Sequence, residues 1–311
     1  MDADYHVPVL LQEAIDGLDI QESGTYVDVT FGGGGHSRQI LRRLGPEGRL
    51  LAFDRDPDAA ARAARDADFA HAGRRFILVN ENFRYLKNYL RFYRAVPVDG
   101  ILADLGVSSH QFDVAERGFS IRSHGPLDMR MDQSGSLTAA DVLNTYSEED
   151  LARIFMQYGE IPFGKRLASA VVKARAERPF AYTDQAVDFF APFAGKGREN
   201  KFLATAFQAL RIEVNGEMEN LKGLLEQSLE VLKPGGRLVV ISYHSLEDRM
   251  VKNFMRSGNV EGKIEKDFYG NDLSGIEPVM RKAVAPSDAE VERNPRSRSA
   301  RLRVGRKKEK E

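Results

Sequence analysis

Short apolar runs alternate with amphipathic stretches along the first hundred residues of the chain. The apolar runs end in polar residues and cover four segments: 25–30, 49–54, 75–80 and 100–104. Continuous apolar character is typical of strands that are buried on both faces of a parallel sheet. Helical patterns fill the intervals at 36–44, 58–69 and 84–93. This alternation with short turns predicts a doubly wound α/β sheet.

The alternation stops after Ser109 and returns about a hundred residues later. A stretch rich in Gly, Ser, Arg and Asp is followed only by helical patterns, which cover 151–158, 164–176 and 183–190. Ser147 and Thr183 are the predicted N-caps of the first and third of these helices. We therefore predict a discontinuous domain, residues 1–113 and 208–311, with an all-helical insertion over 114–207.

The α/β pattern resumes with a predicted helix over 218–232, a strand over 237–243 and a helix that Ser245 would cap. Near the end, Ala300, Leu302 and Val304 alternate with arginines. That period of two predicts a last strand with one basic face.

The C-terminal segment is strongly basic. Residues 293–311 contain nine Lys or Arg and two Glu, although the formal net charge of the whole chain is −1. Such segregation indicates contact with a polyanion, with a solvated tail as the alternative.

The composition excludes several classes of site. The chain has no cysteine, so disulfides, thiolate metal sites and a cysteine nucleophile are excluded, and no metal site is predicted. No apolar run is long enough for a transmembrane helix. Met1 to Tyr5 lack the basic and then apolar pattern of a signal peptide. The prediction is a cytoplasmic protein without membrane contact.

A glycine-rich loop, Gly32 to Gly35, joins the first predicted strand to its helix. Glycine allows a tight turn and close approach to a ligand, and the helix N-terminus favours negative charge. Four consecutive glycines lose much backbone entropy on folding, which argues against a plain connecting turn.

An acidic residue about twenty positions later, Asp54, fits a ribose hydroxyl clamp. These features alone do not separate a nicotinamide cofactor from S-adenosylmethionine. Ser37 stands where the dinucleotide fingerprint has Gly or Ala. Asp28, in the strand before the loop, could reach the amino group of the methionine part. The pattern therefore favours a methyltransferase over a dehydrogenase.

Further polar residues follow the later strands. Asp104 ends the fourth strand, where it could contact the cofactor or accept a proton from an amine; a turn-capping aspartate is the alternative. Tyr243 and His244 follow the fifth strand and would lie beside the transfer site. The insertion carries four more candidates, interspersed with aspartates as in a solvated loop: Arg117, Arg122, His124 and Arg130.

Segments along nearly the whole chain resemble one family, the bacterial small-subunit rRNA (cytosine-N4)-methyltransferases RsmH, also called MraW. The matching segments, in order, are 6–10, 30–37, 104–109, 125–132, 207–215, 233–237, 244–249 and 296–301. The glycine loop is common to methyltransferases, whereas the other segments are specific. Residues 200–207 depart from the family's usual form, and relatives can carry a larger residue at Gly33.

The resemblance implies a class I Rossmann-like methyltransferase sheet with an inserted helical domain that helps to bind substrate. It implies S-adenosylmethionine-dependent methylation of the exocyclic N4 of a cytidine in the decoding region of 16S rRNA, within the small ribosomal subunit. Carried over residue by residue, the cofactor contacts are Gly34, Gly35, His36, Asp54, Phe83, Asp104 and Gln111. Monomer and homodimer both stay open.

The acceptor for the amine is not assigned by the sequence. Leu105-Gly-Val-Ser108 stands where DNA amino-methyltransferases carry a Pro-Pro-aromatic motif, so Asp104 or a nearby backbone carbonyl is the candidate. Tyr243 or His244 could stack on the target base. An RNA-binding assembly factor without catalysis is the non-enzymatic alternative.

Overall fold

The computed structural model describes residues 8–309, without the side chains of Ser109 and His110. The N-terminal segment tested for a signal peptide, Met1 to Tyr5, and the start of the family segment 6–10 lie outside these residues. The chain divides into two compact units. The sheet unit comprises the chain up to Gly106 and from Met218 onward, and the helical unit is Val107–Glu217.

The strands of the sheet unit form one sheet within the described residues. They are β1 Thr25–Asp28, β2 Arg49–Phe53, β3 Phe76–Val79, β4 Val98–Asp104, β5 Leu232–Ser242, β6 Ile276–Pro278 and β7 Arg301–Lys307. Their order is β3-β2-β1-β4-β5-β7-β6. β1 to β5 pair in parallel, whereas β7 is antiparallel to both β5 and β6. The predicted doubly wound α/β sheet is confirmed.

Helices occur throughout the described chain. They are α1 Leu11–Leu18, α2 Gly35–Arg43, α3 Pro57–Arg65, α4 Ala67–Ala70, α5 Leu86–Phe92, α6 Ser109–Asp113, α7 Ala139–Thr145, α8 Glu148–Gln157, α9 Gly164–Glu177, α10 Thr183–Phe190, α11 Glu199–Asn215, α12 Glu217–Val231, α13 Ser245–Ser257 and α14 Asp288–Arg293. Short 3-10 turns lie at Gly73–Arg75, Phe83–Tyr85, Ala115–Arg117, Ala191–Phe193 and Pro295–Ser299. Among these helices none is long and apolar enough to cross a membrane.

Both faces of the sheet are covered, which explains the continuous apolar runs. Successive strand residues point to opposite faces, so Tyr26 packs on the face of α1, α2 and α3 while Val27 packs on that of α5, α12 and α13. The same alternation separates Leu102 from Ile101 on β4. The two apolar layers hold the carboxyl ends of the strands in fixed register.

The helical unit has its own apolar core, built from α7 to α11. Asn215 ties its last helix to a loop, because its side chain donates to the carbonyl of Met129 (2.8 Å) and accepts the N–H of Met131 (2.8 Å). The unit extends beyond the predicted insertion, 114–207, at both ends, because α6 and the whole of α11 belong to it.

Of the two helix caps predicted in the helical unit, one is confirmed and the other is wrong. Ser147 caps α8 as predicted, since its side chain accepts the N–H of Asp150. Thr183 does not cap α10, because the cap position falls on Tyr182. The hydroxyl of Thr183 instead donates to the carbonyl of Ser123 at 2.6 Å and accepts the N–H of Gly125 at 3.2 Å.

Candidate active site

The carboxyl ends of neighbouring parallel strands meet at one edge of the sheet unit. β1 ends at Asp28 and β4 at Asp104, while Asp54 directly follows β2 and Tyr243 directly follows β5. The chain passes to opposite sides of the sheet from β1 and β4, which are adjacent. Ligands of open α/β sheets bind outside the strand ends at such a switch point. The structure therefore brings Asp54, Asp104 and Tyr243 to one edge, as predicted.

The glycine loop contains positions with different requirements. Gly32 and Gly34 have φ values of 53° and 75°, in the region that favours glycine. A Cβ on Gly34 would lie 2.7 Å from the ring of Phe69, whereas one on Gly33 would meet nothing within 4 Å. Gly34 is thus required by both conformation and space, and the open space at Gly33 explains how a larger residue can be accommodated there.

The loop leads directly into α2, which begins at Gly35. Gly34 occupies the cap position and has no side chain, so the N–H groups of the first turn stay available to a ligand. A Cβ on Gly35 would lie 2.1 Å from Pro8, so the preceding segment packs closely over the helix start. The uncapped helix start suits a negatively charged group.

Asp28, the last residue of β1, supports the glycine loop. Its side chain is buried, and its Oδ2 accepts the hydroxyl of Ser37 at 2.6 Å while its Oδ1 accepts the N–H of Thr30 at 3.0 Å. Burial raises the pKa of Asp28 to about 6, although both hydrogen bonds oppose the rise. The expectation that Asp28 reaches a ligand's amino group is therefore corrected, because the carboxylate is enclosed and joins the strand to α2.

Asp54 also contacts the loop. Its Oδ2 accepts the N–H of Gly32 at 2.7 Å and its Oδ1 accepts the N–H of Asp56 at 2.9 Å. Burial raises the pKa of the Asp54 carboxyl. A carboxylate offers about four lone-pair positions, so Asp54 can accept ribose hydroxyls while it holds the loop.

Asp104 lies at the centre of a polar cluster. Its Oδ1 accepts the hydroxyl of Tyr243 at 2.7 Å, and its N–H donates to the hydroxyl of Thr30 at 2.7 Å. Burial raises the pKa of Asp104 to about 7, and the hydrogen bond from Tyr243 opposes this rise. Nearby Asp28 and Glu247 raise it further through charge repulsion. The carboxyl can therefore exchange a proton near neutral pH.

His36 faces the other oxygen of Asp104. Its Nε2 lies 3.2 Å from the carbonyl oxygen of Val9, which can only accept, so the ring proton belongs on Nε2. Burial lowers the pKa of His36 to about 4, so the ring is neutral near pH 7. Its Nδ1 is then an acceptor, 3.7 Å from Oδ2 of Asp104. Two facing acceptors suit a ligand that donates hydrogen bonds.

Gly106 and Glu247 hold Tyr243 in place next to Asp104. Gly106 has a φ of 112°, and a Cβ there would lie 3.1 Å from the ring of Tyr243. The N–H of Tyr243 donates to Oε2 of Glu247 at 2.8 Å. Burial and the neighbouring Asp104 raise the pKa of Tyr243 well above its ordinary value, so the phenol stays protonated and donates.

His244 occupies the N-cap of α13, the position predicted for Ser245. Its Nδ1 accepts the N–H of Glu247 at 3.4 Å, and the Glu247 carboxylate accepts the N–H of His244 at 3.3 Å. The reciprocal pair is a capping box. Glu247 was missed by the sequence reasoning, although the spacing of three residues from His244 was a signal for it.

The two remaining predicted cofactor contacts lie in different units. Phe83 opens a 3-10 turn after β3 and packs, partly buried, on the core of the sheet unit. Gln111 lies in α6 of the helical unit, where its side-chain oxygen accepts the N–H of Ser108 at 3.1 Å. Both assignments stay predictions.

The basic residues of the insertion divide into structural and exposed groups. Arg117 is buried and donates to the carbonyls of Arg130 and Met131. The guanidinium of Arg130 forms two hydrogen bonds to Asp128. Arg122 and His124 are exposed. The solvated-loop alternative is therefore wrong for Arg117, which supports the loop.

Comparisons with known proteins decide the class of this site. The family model described as the MraW methylase family matches residues 3–308. The chain belongs to the MraW methylase family. The predicted methyltransferase class, with S-adenosylmethionine as its cofactor, is confirmed, and the dehydrogenase alternative is excluded.

Curated relatives match this member of the MraW family over almost their whole length. Proteins named ribosomal RNA small subunit methyltransferase H from Bacteroides thetaiotaomicron and Parabacteroides distasonis are 58% and 55% identical to it, each over 98% of both chains. The protein of the same name from Flavobacterium johnsoniae is 55% identical, again over 98% of both chains. A solved rRNA methylase from Streptococcus thermophilus aligns over 98% of this chain and 100% of its own, with 12% identity and a TM-score of 0.43.

Proposed function

We propose that this chain transfers a methyl group from S-adenosylmethionine to the exocyclic N4 of a cytidine in the decoding region of 16S rRNA. The curated relatives' shared name supports small-subunit rRNA as the substrate. The family segments of the sequence support the cytidine N4. We further propose that the protein acts in the cytoplasm on RNA within the small ribosomal subunit, and that the helical unit helps to bind this substrate.

The cofactor site is proposed at the glycine loop and the adjoining strand ends. Gly34 and Gly35 would hold the carboxylate end at the start of α2, and Nδ1 of His36 would accept a hydrogen bond from the ammonium group. Asp54 would accept the ribose hydroxyls, and Phe83 would contact the remainder. S-adenosylmethionine, when bound, supplies an electrophilic sulfonium methyl group.

The observation that carries the proposed chemistry is the environment of Asp104. The N4 amine of cytosine is a weak nucleophile because its lone pair is delocalised into the ring, so it needs an acceptor and correct orientation. We propose that Asp104 accepts a hydrogen bond from this amine and would take its proton as the new N–C bond forms, while the bond between the methyl group and sulfur would break and S-adenosylhomocysteine would leave. A pKa of about 7 suits this exchange near neutral pH. The phenol of Tyr243 orients the carboxylate from its other side.

The test is methyl transfer by purified protein to small subunits from cells that lack it. Labelled S-adenosylmethionine supplies the methyl group, and digestion to nucleosides identifies the product. The proposal predicts label in N4-methylcytidine, and label in a different nucleoside would contradict it.

The role of Asp104 is tested by the substitution Asp104→Asn. We expect turnover to fall at least about 100-fold, since the amide is a poor proton acceptor. Asp99→Asn is the matched control, because Asp99 lies on β4 away from its carboxyl end and accepts the N–H of Thr25 at 2.8 Å. Full turnover by Asp104→Asn, with normal cofactor binding, would move the acceptor role to a backbone carbonyl.

A further inference from the structure

Three basic side chains in and just after the last strand are neutralised in the structure, and one of them, Arg303, belongs to the predicted basic face. Arg303 forms two hydrogen bonds to Asp248, at 2.7 and 3.0 Å. Arg306 pairs with Glu277, and Lys308 with Asp272. These cations are paired with acidic side chains of the sheet unit itself, so the whole strand cannot serve as a phosphate-binding surface.

Two arginines at and just before the start of β7 differ from the others. Arg298 and Arg301 are both exposed, and within residues 8–309 neither has an acidic partner. The guanidinium of Arg301 donates to the carbonyl of Ala300 at 2.7 Å. Their charges are therefore available to a ligand from solution.

The antiparallel direction of β7 determines where these arginines lie. Arg301 pairs with Ser242, the last residue of β5, directly before Tyr243. Because β7 runs opposite to β5, its start lies at the sheet edge where Asp104 ends β4. β7 and β4 flank β5, so the backbones of Arg301 and Asp104 lie roughly 10 Å apart, from two interstrand spacings of about 4.8 Å. Arg306 pairs with Arg237, towards the opposite edge.

The segment that carries the two arginines is anchored. Ser297 is buried, and its hydroxyl donates to the carbonyl of Asn294 at 2.7 Å. Ala300 and Leu302 are buried in the core, and Leu302 exchanges two backbone hydrogen bonds with Val284. The arginine side chains thus project from a fixed backbone beside the proposed active site.

We propose that Arg298 and Arg301 bind backbone phosphates of the RNA strand next to the target nucleotide. This inference rests on the proposed function. The planar guanidinium matches phosphate oxygens, and phosphate contacts fix the register of a nucleic acid without reading its sequence. A base that reacts must leave its stack, which brings its flanking phosphates to the rim of the site. Arg301 begins β7 at that rim, and Arg298 lies three residues before it in the chain.

The experiment compares Arg298→Gln and Arg301→Gln with Arg306→Gln, a loss of the same charge at the other end of the strand. Binding to small subunits from cells lacking the protein is measured over a range of salt concentrations. Each of the first two variants is expected to reduce the slope of log affinity against log salt by about 0.7. The KM for the subunit should rise, while kcat and cofactor affinity stay unchanged.

The control separates a local contact from a general effect of charge. Arg306→Gln should bind like the wild type, and an equal loss in this variant would overturn the assignment to the active-site rim. Unchanged binding by both Arg298→Gln and Arg301→Gln would also overturn it. Failure of the wild-type protein to methylate the subunit would instead contradict the proposed function. Competition with inorganic phosphate provides a further readout. If the arginines contact RNA phosphates, the wild type should not be displaced from the RNA at a lower phosphate concentration than the variants.

Discussion

At the scale of single residues, the site depends on which oxygen of each carboxylate is already occupied. Asp28 is enclosed by Ser37 and Thr30, whereas Oδ2 of Asp104 lies 3.7 Å from Nδ1 of His36. Asp28, Asp54 and Asp104 therefore have different roles, although all three lie at strand ends and look alike in the sequence. Burial separates them further, because it raises the pKa of Asp104 to about 7 and that of Asp28 to about 6.

The hydrogen bond from Tyr243 should control the pH dependence of catalysis. Asp104 must be ionised to accept a proton, so activity falls as the pH drops through its pKa. Tyr243→Phe removes a donor that lowers this pKa, so the acid limb of kcat/KM should move upward by about one pH unit. The control is Tyr26→Phe, whose hydroxyl accepts the N–H of Gln21 elsewhere in the sheet unit. An unmoved acid limb in Tyr243→Phe would show that this phenol does not position Asp104 for catalysis.

At the scale of elements, the bounds of the strands that precede the site residues were predicted more closely than the cap of the helix α13. β1 to β4 begin and end within two residues of the predicted runs, because burial on both faces leaves a continuous apolar signal. β6 has three residues and contains Pro278, so no periodic pattern could indicate it. The cap of α13 was assigned one residue late, because serine has a strong capping preference and the local backbone instead places His244 there.

The glycine loop offers a matched pair of substitutions. Gly34→Ala should lower the free energy of unfolding by about 2–4 kcal/mol, since it combines a positive φ with a clash against Phe69. Gly33→Ala should change it by less than about 0.5 kcal/mol, because its Cβ would enter open space. Urea unfolding of the two variants measures this difference. Equal losses would mean that neither conformation nor space distinguishes the two glycines.

The capping role of His244 can be separated from a catalytic one. His244→Ala should destabilise the protein by about 1 kcal/mol, and His244→Asn should recover most of this loss, because asparagine is a good N-cap. Turnover by His244→Asn should stay near that of the wild type at a temperature where both are folded. If this variant is stable but loses turnover 100-fold, the imidazole touches the reacting groups.

At the scale of the whole molecule, the sequence predicts a discontinuous sheet domain with a helical insertion over 114–207, whereas the helical unit of the structure is Val107–Glu217. The bounds depend on long-range contacts such as that between Asn215 and the loop at Met129, which no local pattern contains. The charge of the last strand was similarly misleading. Arg301 and Arg303 alternate with buried apolar residues as predicted, but Asp248, from a distant segment of the chain, neutralises Arg303.

The most direct test of the central claim is nucleoside mass spectrometry of 16S rRNA from cells that lack this protein. The proposed function predicts that N4 methylation of the decoding-region cytidine is absent and returns when the wild-type chain, but not Asp104→Asn, is supplied. Retention of this modification in cells lacking the protein would contradict the account.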